Sequence, residues 1–193
     1  MLKGINIFTF GSEHIIPNSK GWNSCMEMYR EYDTNIDGDC NEELDISGNE
    51  YEKLLLKCFE YCDTFSIRVK EELLEDSGCE ELIALENYRI PTRENVLPAY
   101  SHYYKEFLPV VQEEIRCYRL LPETKKMLTN ISNSIFAWIS TREHKKPEDL
   151  AFYRRDGSVF FSSTVHEGYC NLFAKNGEKI DDIINNNIWH RIT

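Results

Sequence analysis

His166, Glu167 and Cys170 set a base, an acid and a thiol within five residues, in the run STVHEGYC, with Ser162, Ser163 and Thr164 just before them. Nucleophilic catalysis needs these types: a thiol or hydroxyl that gives its proton to an imidazole, and a third group that orients the imidazole. On an extended strand His166 and Glu167 face opposite sides, so they act together only where the chain turns. Gly168 permits such a turn, and His166 then approaches Cys170 across the bend. The competing reading is a histidine serving as a structural hydrogen-bonder at a strand end, beside a cysteine packed as a small apolar residue. His14, His102, His144 and His190 stand alone in the sequence. The chain has no G-x-G-x-x-G, P-loop, H-E-x-x-H or G-x-S-x-G motif, which takes several large enzyme classes out of easy reach.

A second set of chemistry-bearing residues lies at 33–44. Asp33, Asn35 and Asp37 alternate as oxygen donors, Asp39 follows, and Gly38 stands where a chain must turn sharply around an ion. The stretch resembles the calcium loop of an EF-hand, but Leu44 replaces the closing bidentate glutamate and Glu43 comes one residue early. Gly48 falls where the exit helix should run, and no second loop follows. A degenerate, solvated Asx-rich turn is the expected state, with no metal and no cofactor. Cys58 and Cys62, one helical turn apart, form no Cys-x-x-Cys and have no second pair at ligand spacing, so they are expected as buried thiols. The total of seven cysteines is odd and irregularly spaced, which points to thiols in a reducing compartment.

Charge is the strongest signal. Residues 31–86 hold 18 Asp or Glu against 4 Lys or Arg, a balance of −14 in a chain whose total is −11, so the remainder is slightly basic. The densest part is Glu71, Glu72, Glu75, Asp76, Glu80 and Glu81. Such a field repels nucleic acid phosphates and acidic lipid headgroups and steers basic protein surfaces toward itself. The alternative is an acidic surface that serves solubility alone. Tyr88, Tyr100, Tyr103 and Tyr104, in and beside the proline-rich stretch 91–109, are candidate anchors, because desolvated aromatics concentrate binding energy.

The elements that must position these groups are partly readable. GINIFTF and DTFSIRV alternate as strands, the latter with Phe65, Ile67 and Val69 on one face. GWNSCMEMYREY reads as a short helix. GNEYEKLLLKCFEYC is a helix with Tyr51, Leu54, Leu55, Cys58 and Cys62 inward, capped by Ser47 or Asn49. CEELIALENY is helical up to Pro91. PVVQEEIRCYRLL is a strand with Val111, Glu113, Ile115 and Cys117 on one face and Gln112, Glu114, Arg116 and Tyr118 on the other, one of them partly wet. Pro122 opens a helix whose stripe runs through Leu128, Ile131, Ile135, Trp138 and Ile139, as core. Asp156-Gly157 marks a hairpin, Asn176-Gly177 repeats the signal, and a three-stranded meander follows from them. A last helix is expected at EKIDDIINNNIW, with Ile180, Ile183, Ile184 and Ile188 inward.

These elements imply an α+β fold: a mainly antiparallel sheet with a C-terminal β-meander packed against three to five helices, in one domain over 1–193, with an acidic helical region at about 31–86. The N-terminus lacks a signal-peptide pattern and no apolar run reaches a membrane span, so a cytoplasmic protein that does not bind membrane is expected.

The segment KPEDLAFYRRDGSVFFSSTVHEGYCNLF, through its elements P-E-D-L-x-F-Y and T-x-H-E, resembles the C-terminal region of small uncharacterised bacterial proteins. In size and acidity the whole chain is similar to immunity proteins of bacterial polymorphic toxin systems. That resemblance implies a non-enzymatic binding module that occludes a basic partner such as a nuclease toxin, and it carries no catalytic residues. The rival expectations are a small thiol- or hydrolase-type enzyme using His166 and Cys170, and a solvated-surface protein bearing the degenerate calcium loop.

Overall fold

The computed structural model describes residues 5–11, 45–70, 80–91, 113–138, 146–165, 169–184 and 189–192. They form an α+β architecture around one antiparallel sheet. The strands are β1 (Ile5–Gly11), β2 (Thr64–Lys70), β3 (Arg89–Ile90), β4 (Glu113–Arg119), β5 (Glu148–Tyr153), β6 (Val159–Thr164), β7 (Tyr169–Lys175) and β8 (His190–Ile192). The helices are α1 (Gly48–Tyr61), α2 (Glu80–Leu85), α3 (Pro122–Ile131) and α4 (Asp181–Ile184). The sheet has eight strands in the order β3-β4-β2-β5-β6-β7-β1-β8. Among the described residues no helix is long and apolar enough to cross a membrane.

The expected meander is β5-β6-β7, paired antiparallel at each step. Its first turn forms where Asp156-Gly157 predicts it: Gly157 takes a φ of +80°, and Asp156 Oδ1 accepts the Ser158 N–H at 3.0 Å. A residue with a side chain is disfavoured at that φ, which is why glycine serves. At the second signal Gly177 also has positive φ, +93°. There the chain turns into α4 instead of a further strand, and β1 from the N-terminus fills the place beside β7.

Cross-strand register explains the core. Tyr118, Phe65, Phe152, Phe161 and Leu172 are successive partners across five neighbouring strands. Phe65 stacks on Tyr118 with centroids 5.3 Å apart, and Phe152 follows at 6.0 Å. Aromatic rows of this kind contribute roughly 0.5–1.5 kcal/mol per pair beyond the area they bury. α1 covers this row: its Phe59 meets Phe152 edge-on and its Tyr61 lies against Phe160. Tyr51, Leu54, Leu55 and Cys58 are its buried stripe, as its spacing predicts, and half-buried Cys62 closes its end. Ser47 is the N-cap by backbone conformation, without a side-chain cap bond.

Three elements depart from the sequence reading. β2 is buried on both faces, because Ser66 and Arg68 are as inaccessible as Phe65, Ile67 and Val69. In β4 the change from wet to dry runs along the strand: Glu114 is exposed, while Arg116, Cys117 and Tyr118 are all buried. Register with Phe65 turns Tyr118 to the core, so the face bearing Glu114 and Arg116 is dry at its Tyr118 end. The third departure is α3, which begins at Pro122 but stops at Ile131. Ser132 Oγ donates to Ser134 O at 2.8 Å, and the Ile135 N–H turns to Ile46 O at 3.1 Å, so side-chain and distant partners replace helical ones. Ile135 and Trp138 are still core, on an irregular segment. Ile139, Ile188, the 91–109 stretch beyond Pro91 and the GWNSCMEMYREY helix lie outside the described residues.

Candidate functional site

α2 is a six-residue helix within the acidic region. Its Leu82 and Leu85 enter the core, and Ile83 points outward. After it, Glu86–Tyr88 form one turn of 3-10 helix that leads into β3. Glu86 fixes this turn to the sheet. Its Oε1 accepts the Tyr118 hydroxyl at 2.8 Å and Arg116 Nη1 at 2.9 Å. Arg89 pairs with both Glu86 and Glu114, and Arg116 Nε reaches Glu114 at 2.9 Å. Burial opposes the Glu86 charge. The hydrogen bonds from Tyr118 and Arg116, with the charges of Arg116 and Arg89, outweigh it and hold the carboxyl below its ordinary range. Tyr118 moves the other way, since burial and the adjacent carboxylate both keep its phenol protonated.

Along α1 the carboxylates are partly compensated. Lys53 meets Glu50 at 2.6 Å, and Lys57 lies 3.4 Å from both Glu60 and Asp182. Glu52 is exposed and has no ion pair among the described residues. The C-terminal Asp182 therefore joins the acidic surface of α1, which its sequence position does not suggest. Of the residues expected to bind a partner, Glu80 and Glu81 lie on α2, with side chains outside the described set, and Tyr88 is half-buried in the following turn. Glu71, Glu72, Glu75, Asp76, Tyr100, Tyr103 and Tyr104 lie outside the described residues, as do the calcium-loop candidates Asp33, Asn35, Asp37 and Asp39.

The expected catalytic grouping fares differently at its one described member. Cys170 is fully buried, paired in register with Ser163 on the core side of the sheet. Burial, with the charge of Asp45 adding to it, pushes its thiol well above the ordinary range, the reverse of an activated thiolate. Cys58 and Cys62 are raised too, by burial first. His166 and Glu167 lie outside the described residues. Among the described residues no group of three or more His, Cys, Asp or Glu is placed to hold a metal ion.

The opposite end of β5 holds a polar cluster that sequence reading missed. Arg68 Nη2 lies 2.6 Å from Glu148 Oε2 and 2.9 Å from Asp149 Oδ2, and Glu148 is 1% exposed. Asp149 Oδ1 also accepts the Val165 N–H at 3.0 Å. Ser66 Oγ and the Tyr153 hydroxyl, 3.0 Å apart, lie on the same side of the sheet. The cluster joins P-E-D-L to the T-x-H-E element. The only advance signal was two adjacent acids opening an apolar strand. Two carboxylates thus face one guanidinium, and the bond from Val165 to Asp149 ties the start of β5 to the end of β6. Comparison with known protein families, curated proteins and solved structures gives no match.

Proposed function

We propose that this chain is a non-enzymatic protein-binding module of the bacterial cytoplasm, of the immunity or inhibitor type, whose acidic region at 31–86 docks on a basic protein surface such as that of a nuclease toxin. The observation that carries this reading is the concentration of 18 acidic against 4 basic residues in that stretch, while the rest of the chain is slightly basic. Glu86 supports it, because its hydrogen bonds from Tyr118 and Arg116 fix the backbone of its neighbours to the sheet. Glu50 and Glu60 are partly compensated and serve α1 itself, so docking falls to the run Glu71, Glu72, Glu75, Asp76, Glu80 and Glu81. The mechanism is steric occlusion by carboxylates that occupy the place of substrate phosphates, with Tyr88, Tyr100, Tyr103 and Tyr104 as anchors.

The test begins with the protein that co-purifies from the native host. Its association rate with this chain falls steeply between low and high salt, because steering between charged surfaces is screened. Replacing Glu71, Glu72, Glu80 and Glu81 together by Lys weakens binding while the far-ultraviolet circular dichroism stays unchanged. Unaltered affinity in that folded variant overturns the proposal.

A further inference from the structure

We infer that Asn176, in the turn after β7, is a site of self-modification: its side chain closes onto the Gly177 nitrogen and opens to aspartate or isoaspartate, and the product loosens the contacts that Glu178 makes with Lys175 and Arg154. Asn176-Gly177 is the only Asn-Gly pair in the chain. Glycine lacks the Cβ that shields the nitrogen of any other following residue. Both residues are exposed, and a Cβ built on Gly177 would meet nothing within 4 Å. Among the described residues no hydrogen bond engages the Asn176 side chain or the Gly177 N–H. The Gly177 nitrogen loses its proton and bonds to Asn176 Cγ, and the side-chain nitrogen leaves as ammonia. Water then opens the cyclic imide. Breaking the new bond gives aspartate, and breaking the original backbone bond gives isoaspartate, in which the chain runs through Cβ and Cγ.

The Asp156-Gly157 turn shows what protects a similar pair. Asp156 accepts the Ser158 N–H at 3.0 Å, the Ser158 hydroxyl at 2.6 Å and Lys175 Nζ. These donors hold its carboxyl below the ordinary range and so ionised, which makes it a poor target for a nucleophile. The Gly157 N–H is also spent, on Arg154 O at 2.8 Å. Neither restraint acts on Asn176-Gly177. The consequence falls on Glu178, which accepts the Lys175 N–H at 2.7 Å while its own N–H donates to Lys175 O at 3.1 Å. Both bonds span the Asn176-Gly177 linkage. Isoaspartate adds a backbone carbon between their ends, so they cannot keep their geometry. Either product also places a new negative charge near the carboxylate that holds Arg154 Nε and Nη2 at 2.7 Å.

Ageing the folded full-length protein at neutral pH and physiological temperature tests this, with peptide mapping by electron-transfer fragmentation to separate aspartate from isoaspartate. Asn176 converts roughly tenfold faster than Asn130, which is also exposed but precedes Ile131. Isoaspartate predominates, ammonia appears in step with it, and Asp156 isomerises only when the chain is unfolded in urea. Aged wild-type protein has a lower urea midpoint than fresh protein and faster amide exchange at Lys175 and Glu178, whereas Asn176→Gln aged in parallel keeps its midpoint. Asn176→Asp, which adds the charge without lengthening the chain, falls between fresh and aged protein. The site is overturned if Asn176 in the folded protein converts no faster than Asn130, including the case in which it converts only in urea. The effect on Glu178 is overturned if protein converted at Asn176 keeps the midpoint of fresh protein.

Discussion

Asp149 holds Val165. Its Oδ1 accepts the Val165 N–H at 3.0 Å from a backbone with a φ of +52°, so the start of β5 and the end of β6 are joined by a residue in the left-handed region. That region costs a residue with a Cβ about 1–2 kcal/mol, and Asp tolerates it better than most. Asp149→Ala loses the bond to Val165 and the pairing with Arg68 while keeping the conformational cost, and it destabilises by roughly 2–4 kcal/mol. Asp149→Gly loses the same contacts but removes the backbone cost, and its urea midpoint lies above that of the alanine variant. Equal midpoints would show that the conformation carries no penalty.

This relationship also shows where sequence reading stops. The hairpin at Asp156-Gly157 was legible because one dipeptide dictates the turn, and the buried stripe of α1 because its spacing repeats over fourteen residues. β3 and β8, of two and three residues, are too short to show any period. The end of α3 was hidden because Ile131, Ile135 and Trp138 keep helical spacing on a segment that serine side chains have already diverted. Position in the sheet is likewise not a local property. Ser66 and Arg68 alternate with the apolar residues of β2 and are buried all the same, against the Tyr153 hydroxyl and the Glu148 carboxylate of a strand distant in sequence. The acidic region was legible as composition. What its spacing did not reveal is that Glu86 faces the sheet, and that Lys57 brings Asp182 to α1.

Arg154 and Glu178 form a second long-range clasp. The guanidinium meets both carboxylate oxygens at 2.7 Å, donates to Val159 O at 2.6 Å and to Phe173 O at 2.5 Å, and lies over the Phe160 ring. Removing one partner of a buried pair leaves the other uncompensated. Arg154→Met is therefore expected to cost about 3–5 kcal/mol, more than the double variant with Glu178→Leu. Chemical denaturation of the two single variants and the double variant measures the difference. Additive losses would contradict direct coupling.

The thiols provide a test against the enzyme alternative. Cys58 and Cys170 are fully inaccessible, and burial pushes both thiols up. In native protein their alkylation by iodoacetamide is slow even at pH 8 and follows the unfolding rate, whereas in denaturant both react at the rate of an ordinary thiol with a pKa of about 8.5. Peptide mapping of the labelled sites gives the readout. Fast native labelling of Cys170 near pH 6 would mark an activated thiolate and revive the catalytic reading.

Glu86 links stability to pH. Its carboxyl is held below the ordinary value of 4.5 in the folded chain, so the unfolded state binds the proton more readily. The stabilisation is fully present above the unfolded pKa and is lost as pH falls through the lower folded value. The affected window therefore opens near pH 4.5 and extends downward. Glu86→Gln keeps an acceptor for Tyr118 but removes the charge that faces Arg116 and Arg89. Relative to wild type, this variant loses stability at pH 7 and the deficit shrinks as the pH approaches 3. Urea midpoints of the two proteins across that range decide the matter, and parallel curves would mean that Glu86 does not contribute through its charge. Because this carboxylate fastens the turn that follows α2, the same titration should loosen the acidic helix before the sheet itself unfolds, visible as faster amide exchange at Leu82–Leu85 than at Phe65 or Phe152.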